Sequence, residues 1–129
     1  MITMLAAVAA MTSGSACQGP DPAIVSVVSA QSTASPGVNR FTLTVTVANL
    51  GSQNQAGNVL QSVNIVLDDN KNGQKGIPPL RAGQRYTFTY DVLRAEDTEA
   101  GSTDLRFHLV QQNGEVDCNS GNDRYKIRV

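Results

Sequence analysis

Hydrophobic and polar residues alternate in short runs along the chain after residue 20, and this period of two predicts β-strands. In residues 41–47, one face carries Phe, Leu and two Val residues, while three Thr residues take the other face. β-Branched side chains suit a pleated surface that is buried on one side. Such runs predict strands at about residues 23–30, 40–48, 62–68, 74–79, 85–93, 104–111 and 123–129.

Turn-forming residues separate these runs, as in Ser35-Pro36-Gly37, Asn72-Gly73 and Asn113-Gly114. After residue 20 no segment has a sustained apolar period of 3.6 residues, so the pattern predicts no amphipathic helix there. Six or seven short strands at this spacing indicate an all-β fold, an antiparallel β-sandwich. A closed barrel is the structural alternative.

The first 16 residues differ from the rest, with an apolar run from Met4 to Met11 followed by the small residues of 14–16. This run is shorter than the roughly 20 residues that span a bilayer, but it suits the hydrophobic part of a signal peptide. No Lys or Arg precedes it, so an ordinary apolar strand or helix, or a cloning remnant, is the alternative. We expect a signal peptide at 1–16, a linker at 17–22 and one domain at 23–129, in an exported protein that is secreted, periplasmic or at the cell surface.

The overall charge gives no sign of a nucleic-acid or membrane partner. Ten Lys and Arg residues against 11 Asp and Glu residues leave a net charge of −1. Hydrophobic residues make up 40% of the chain and charged residues 16%, which argues against intrinsic disorder. The single histidine, His108, excludes mechanisms that need two imidazoles. It lies between Arg106 and Val110 in a predicted strand, where we expect a solvent-facing position.

Three short motifs, in this order, resemble those of the CARDB family, the cell-adhesion-related domain found in bacteria. Residues 45–51 (VTVANLG) fit its V-x-V-x-N-x-G signature, and residues 80–83 (LRAG) match its L-x-x-G turn. Residues 117–123 (DCNSGND) resemble its E-x-N-E-x-N-N turn, with Asp, Ser and Asp in place of Glu, Glu and the final Asn. The resemblance covers about residues 21–129. It implies an immunoglobulin-like β-sandwich on an exported protein and supplies neither catalytic residues nor a cofactor.

Cys17 and Cys118 are the two cysteines of the chain, and three fates are open to them. In a sandwich of this kind the segment before the first strand and the loop before the last strand share one end, so we favour a disulfide between them. Cleavage after Ala16 would instead make Cys17 the lipid-carrying first residue of a lipoprotein, although Gly14 replaces the usual Leu. A membrane contact is expected only in that case. Two free thiols are the third alternative.

Residues 68–73 (DDNKNG) match the first half of a calcium loop, with Asp68, Asn70 and Asn72 as the oxygen ligands. The twelfth position, which should be a bidentate Glu, is Pro79, and Lys71 places a positive charge inside the loop. A polar hairpin turn explains the same residues, so these are weak calcium candidates. A second oxygen-rich group, Asp117, Asn119 and Asp123, is expected to cap the turn before the last strand.

Binding, if it occurs, is expected at the end of the sandwich that holds Cys118. The polar, uncharged loop of residues 51–58 shares that end and offers Gln53, Asn54 and Gln55, and Asn119 lies in the neighbouring loop. The leading hypothesis is a non-enzymatic adhesion or protein-interaction module whose partner is a protein or a cell-surface glycan. A structural subunit or stalk of a surface assembly is the alternative, and a secreted hydrolase inhibitor is the third.

Overall fold

A computed structural model describes residues 18–113 and 120–129 of the chain. This part forms seven strands and one 3-10 helix, Ser120–Asn122. The strands are β1 (Pro22–Ser35), β2 (Val38–Asn49), β3 (Gln61–Leu67), β4 (Asn70–Ile77), β5 (Arg85–Ala95), β6 (Asp104–Gln111) and β7 (Arg124–Arg128). Within these ranges no helix has the length and apolar character needed to cross a membrane.

The strands form two antiparallel sheets that pack as a sandwich, which confirms the predicted fold. One sheet has the order β1-β2-β5 and the other the order β4-β3-β6-β7. Every strand pair is antiparallel, and the pairing of β2 with β5 continues without a register shift from Val38 opposite Ala95 to Ala48 opposite Arg85. Register is fixed because a slip of one residue would turn each apolar face to water.

The core lies between the two inner faces and consists of aliphatic and Phe side chains at alternate strand positions. The least exposed members include Leu43, Val45, Val63, Ile65 and Leu105. Burying each such side chain contributes about 1.5–3 kcal/mol relative to leaving it in water. Residues 41–47, whose alternation predicted a half-buried strand, therefore form part of one side of this core.

The hairpin between β3 and β4 corrects the predicted start of the fourth strand. The turn lies at Asp68-Asp69, whose φ angles are 47° and 68°, and not at Asn72-Gly73. Positive φ at both central positions is the signature of a type I′ turn, whose twist matches that of the paired strands. Asn72 and Gly73 consequently lie inside β4, which begins at residue 70 instead of 74.

Position 73, inside β4, has no room for a side chain, because the ring of Tyr90 lies directly over it. A Cβ at residue 73 would be 2.7 Å from Cε1 of Tyr90, closer than real contacts allow. The Tyr90 hydroxyl donates to Oδ1 of the neighbouring Asn72. Since Tyr90 belongs to β5 and Asn72 to β4, this contact ties the edges of the two sheets together.

Candidate functional site

Asn49, the asparagine of the V-x-V-x-N-x-G motif, holds together one end of the sandwich. Its side chain is fully buried. Its Oδ1 accepts from the backbone N–H of Asp21 (2.9 Å) and of Gly51 (3.0 Å). Its Nδ2 donates to the carbonyls of Gln53 (2.8 Å) and Leu80 (3.1 Å). These bonds use the full hydrogen-bonding capacity of a carboxamide, so Asn49 has a structural role.

The L-x-x-G turn docks on the same residue. The Gly83 N–H donates to the Asn49 carbonyl at 2.9 Å, and the Asn49 N–H donates to the Gln84 carbonyl at 3.0 Å. Gly83 has φ 77°, a left-handed conformation that glycine adopts without steric cost. Two of the three family motifs therefore form one hydrogen-bonded unit, built on Asn49.

The predicted binding loop, residues 51–58, is held to this unit by its own side chains. Gln55 is buried, and its amide forms two hydrogen bonds with that of Gln61, at 2.9 and 2.8 Å. The Leu80 N–H also donates to Gln55 Oε1, at 2.9 Å. Asn54 Oδ1 accepts from the Ala82 N–H at 2.9 Å. Gln55 is therefore closed to a surface ligand, whereas the exposed Gln53 remains a predicted contact.

The predicted disulfide and one predicted binding residue cannot be located, because Cys17, Cys118 and Asn119 lie outside the described residues. Their described neighbours do meet at one end of the sandwich. Asn122 Nδ2 donates to Oδ2 of Asp21 at 3.1 Å, which joins the start of β1 to the segment before β7. This is the juxtaposition on which the disulfide prediction depends, and the bond itself stays a prediction.

The weak calcium candidates take part in the β3–β4 hairpin and its neighbours. Asp68 Oδ1 accepts from the Asp104 N–H at 2.9 Å, and Asn70 Nδ2 donates to the Asp68 carbonyl at 3.3 Å. Asn72 Oδ1 accepts from Tyr90. No group of three or more His, Cys, Asp or Glu side chains suited to a metal ion occurs among residues 18–113 and 120–129. Asp117, of the second oxygen-rich group, lies outside those ranges.

A groove of about 490 Å³ crosses strands β3, β6 and β7 of the four-stranded sheet. Strand pairing aligns its lining residues in two rows, each running across the three strands. In the first row Asn64 lies opposite His108, which lies opposite Arg124. In the second row Val66, Arg106 and Lys126 are aligned in the same way. Both rows lie on the outer face, because the alternate residues of the same strands, such as Ile65 and Phe107, are buried in the core.

Positive charge is compensated at one end of the groove and uncompensated at the other. Asp104 lies 2.9 Å from Nε of Arg106 and 3.9 Å from Nζ of Lys126, and Asp69 lies 3.6 Å from Nη1 of Arg106. Within the described residues, Arg124 has no ion pair. The row of Asn64, His108 and Arg124 therefore ends in a cation that no carboxylate of the described residues neutralises.

Sequence reasoning placed His108 at a solvent-facing strand position, but it did not bring His108 together with the basic residues of the last strand. The sequence signal for this cluster is the alternation in residues 104–108 and 124–128. In each segment it places all the basic residues on the same face of the strand. What the sequence left open was that these two strands are neighbours in register. That register creates the groove.

The architecture and the Asn49 unit define an immunoglobulin-like β-sandwich. A sequence profile of the CARDB family matches residues 20–126, and the chain belongs to this family. Its fold is similar to the crystal structure of the CARDB domain of the PF1109 protein from Pyrococcus furiosus, solved in complex with di-metal ions. The TM-score is 0.65 at 15% sequence identity, with 91% of this chain and 92% of that chain covered. No curated protein sequence matches this chain.

Proposed function

We propose that this chain is a non-enzymatic interaction module of an exported protein, and that it binds an acidic segment of another protein in the groove. The single observation that carries the proposal is the pair of cross-strand rows that places Arg106, Lys126 and Arg124 around one concavity. Membership of the CARDB family supports an adhesive or binding role over a catalytic one. The signal-like composition of residues 1–16 supports export.

The spacing of the cations in the groove matches that of the side chains of an extended peptide. Arg124 and Lys126 are two residues apart on one strand, which places their Cα atoms about 6.6–6.8 Å apart. An extended peptide with carboxylates at every second residue repeats its negative charge at the same interval. The volume of about 490 Å³ lies within the range of known ligand pockets, about 300–1,000 Å³.

A double variant, Arg124→Gln with Lys126→Gln, tests this assignment. The probe is a fluorescent peptide in which Glu and Thr alternate, and fluorescence anisotropy at low salt measures its dissociation constant. We expect the constant to rise at least about tenfold in the variant and to rise with ionic strength in the parent. Arg85→Gln is the matched control, since it removes one exposed cation from the other sheet.

Two further probes separate the possible partner classes. A peptide of alternating Gln and Thr should bind much more weakly, because it lacks carboxylates. Polygalacturonate presents carboxylates on a glycan. If that polymer binds and the Glu-Thr peptide does not, the partner is a glycan and the peptide proposal is wrong. Equal binding of both peptides, or unchanged affinity in the double variant, would also overturn it.

The di-metal ions of the Pyrococcus furiosus domain raise the question of a metal-dependent role. Asp68 Oδ1 and Asn72 Oδ1, two of the oxygen atoms that could bind a cation, already accept hydrogen bonds within the protein. We therefore propose peptide binding that does not depend on a divalent cation. The anisotropy experiment repeated with Ca²⁺ and with EDTA should give the same dissociation constant. A large change would instead support the calcium prediction for residues 68–72.

A further inference from the structure

Strand β1 forms a free edge of the three-stranded sheet, and its second half is uncovered on both faces. Residues 28–33 are all exposed, and the solvent-exposed fraction of Val28 is 61%. A strand that covers a core exposes every second residue instead. Because β1 pairs with β2 along one side only, the backbone groups along its other side have no strand partner in the described chain. This half of β1 is a template for pairing with another strand.

The amino acids of β1 set it apart from the other edges. Four strands lie at sheet edges in the described part of the chain: β1, β4, β5 and β7. Strand β4 carries Lys71 and Lys75, β5 carries charges of both signs, and β7 carries three basic residues. The 14 residues of β1 include no charged residue. Charged side chains are the usual protection of an edge against strand addition, and β1 lacks it.

We propose that β1 pairs antiparallel with β1 of a second copy of this chain, which joins two three-stranded sheets into one continuous sheet. A two-fold axis places the same short segment of both copies side by side. On β4 or β7 such an arrangement would bring like charges together, which is unfavourable in cross-strand pairs. On β1 it brings together Val, Ser, Ala, Gln and Thr, which carry no charge. The exposed faces of residues 28–33 also leave the approach of a second sheet unobstructed.

Sedimentation velocity on the full chain over a wide concentration range is the first measurement. We expect a monomer–dimer equilibrium. Ala30→Lys should raise the dimer dissociation constant at least about tenfold, because it places two ammonium groups near the two-fold axis. Leu93→Lys is the matched control: it introduces the same charge at an exposed apolar position on β5, the other edge of this sheet. Both variants change exposed positions, and circular dichroism checks that they fold.

Hydrogen exchange then identifies the edge that pairs. Amides of residues 27–35 should exchange more slowly at high than at low protein concentration, while those of residues 85–95 should not change. A chain that stays monomeric at all concentrations overturns the proposal. So does a dimer that Ala30→Lys leaves intact, or one that protects β5 instead. A monomer whose β1 amides become protected only when an unrelated extended peptide is added would mean strand addition by a different protein, which also contradicts self-pairing. The groove lies on the other sheet, so this result is independent of the acidic-peptide experiment.

Discussion

The side-chain amide of Asn49 donates to the backbone carbonyl of Leu80 at 3.1 Å, between residues that are 31 positions apart in the chain. The bond links the end of β2 to the segment that leads into β5. The N–H of the same Leu80 donates to Gln55, so one residue anchors both the second strand and the long loop that follows it. Family motifs that look like separate turns in the sequence are therefore halves of a single hydrogen-bonded structure.

Replacing Asn49 with Ala should lower the free energy of unfolding by about 2–4 kcal/mol. The change removes four hydrogen bonds and leaves the buried N–H groups of Asp21 and Gly51 without the acceptor that Asn49 provides. Urea denaturation followed by circular dichroism measures the loss. Asn58→Ala is the control, since the Asn58 side chain is exposed, and it should change stability by less than about 0.5 kcal/mol. Equal stability of the two variants would contradict the role given to Asn49.

Gly51→Ala should destabilise the fold by about 1–3 kcal/mol, because there is no room for a methyl group. The new Cβ would lie 2.7 Å from the backbone nitrogen of Asp21 and 3.0 Å from the carbonyl carbon of Pro20. Backbone atoms cannot move aside as a flexible side chain can. Gly57→Ala, in the same loop, meets nothing within 4 Å and should be neutral or slightly stabilising. Thermal unfolding of the two variants side by side compares them.

The sequence alone predicted the strands well where one face is buried. Residues 41–47 alternate because β2 is a central strand with a core on one side only, and that pattern is visible without a structure. Residues 31–35 of β1, beyond the predicted end at residue 30, were missed, because they cover no core and so carry no alternation to detect. The position of the β3–β4 turn was missed for another reason. Asn72-Gly73 is a stronger turn signal than Asp68-Asp69. Gly73 nevertheless lies in a strand, under the ring of Tyr90, and this tertiary contact cannot be seen in the local sequence.

The candidate sites were likewise predictable where strand alternation decides the arrangement, and not where tertiary contacts decide it. The pattern correctly indicated that residues 51–58 and the start of the first strand share one end, because strand alternation fixes which loops are neighbours. It could not reveal that Gln55 is buried, since a Gln in a polar loop resembles an exposed contact residue. Nor could it reveal the groove, which depends on the pairing of His108 with Arg124 between two separate strands.

Gln55→Ala and Gln53→Ala should separate the structural from the exposed part of the loop. The first variant leaves the Leu80 N–H and Gln61 Oε1 without the partners that Gln55 provides, at a cost of about 1–3 kcal/mol of unfolding free energy. The second removes an exposed side chain and should leave stability within about 0.5 kcal/mol. Urea denaturation midpoints give both values. If Gln55→Ala is as stable as the parent, the paired amides do not hold the loop.

The mass of the intact protein from its native host tests the predicted fate of the cysteines. A chain that begins at Cys17 and gains two alkyl groups only after reduction would establish both export and the bridge to Cys118. Lipid modification of Cys17 would instead add the mass of a diacylglycerol and an acyl group. An unprocessed chain that is alkylated without reduction would contradict the secretion argument. Alkylation before and after reduction in parallel samples distinguishes these outcomes.

The stability of the protein should fall in alkaline solution, in part through Tyr90. Burial raises the pKa of the Tyr90 hydroxyl above its usual value near 10.0, because the phenolate would lose solvation between the two sheets. Below the usual value both the folded and the unfolded states carry a neutral phenol, and the contribution to stability is fully present. As the pH rises above it, the unfolded chain ionises first, so the free energy of unfolding decreases until the folded state also ionises.

Urea denaturation at a series of pH values from neutral to alkaline measures this decrease. Tyr90→Phe should show a shallower alkaline decline than the parent, even though it starts from a lower stability at neutral pH through loss of the hydrogen bond to Asn72. Tyr86→Phe is the matched control, because it changes a tyrosine on the same face of β5 and leaves Tyr90 in place. Its alkaline decline should remain as steep as that of the parent. If Tyr90→Phe declines as steeply as Tyr86→Phe, ionisation of Tyr90 is not coupled to unfolding.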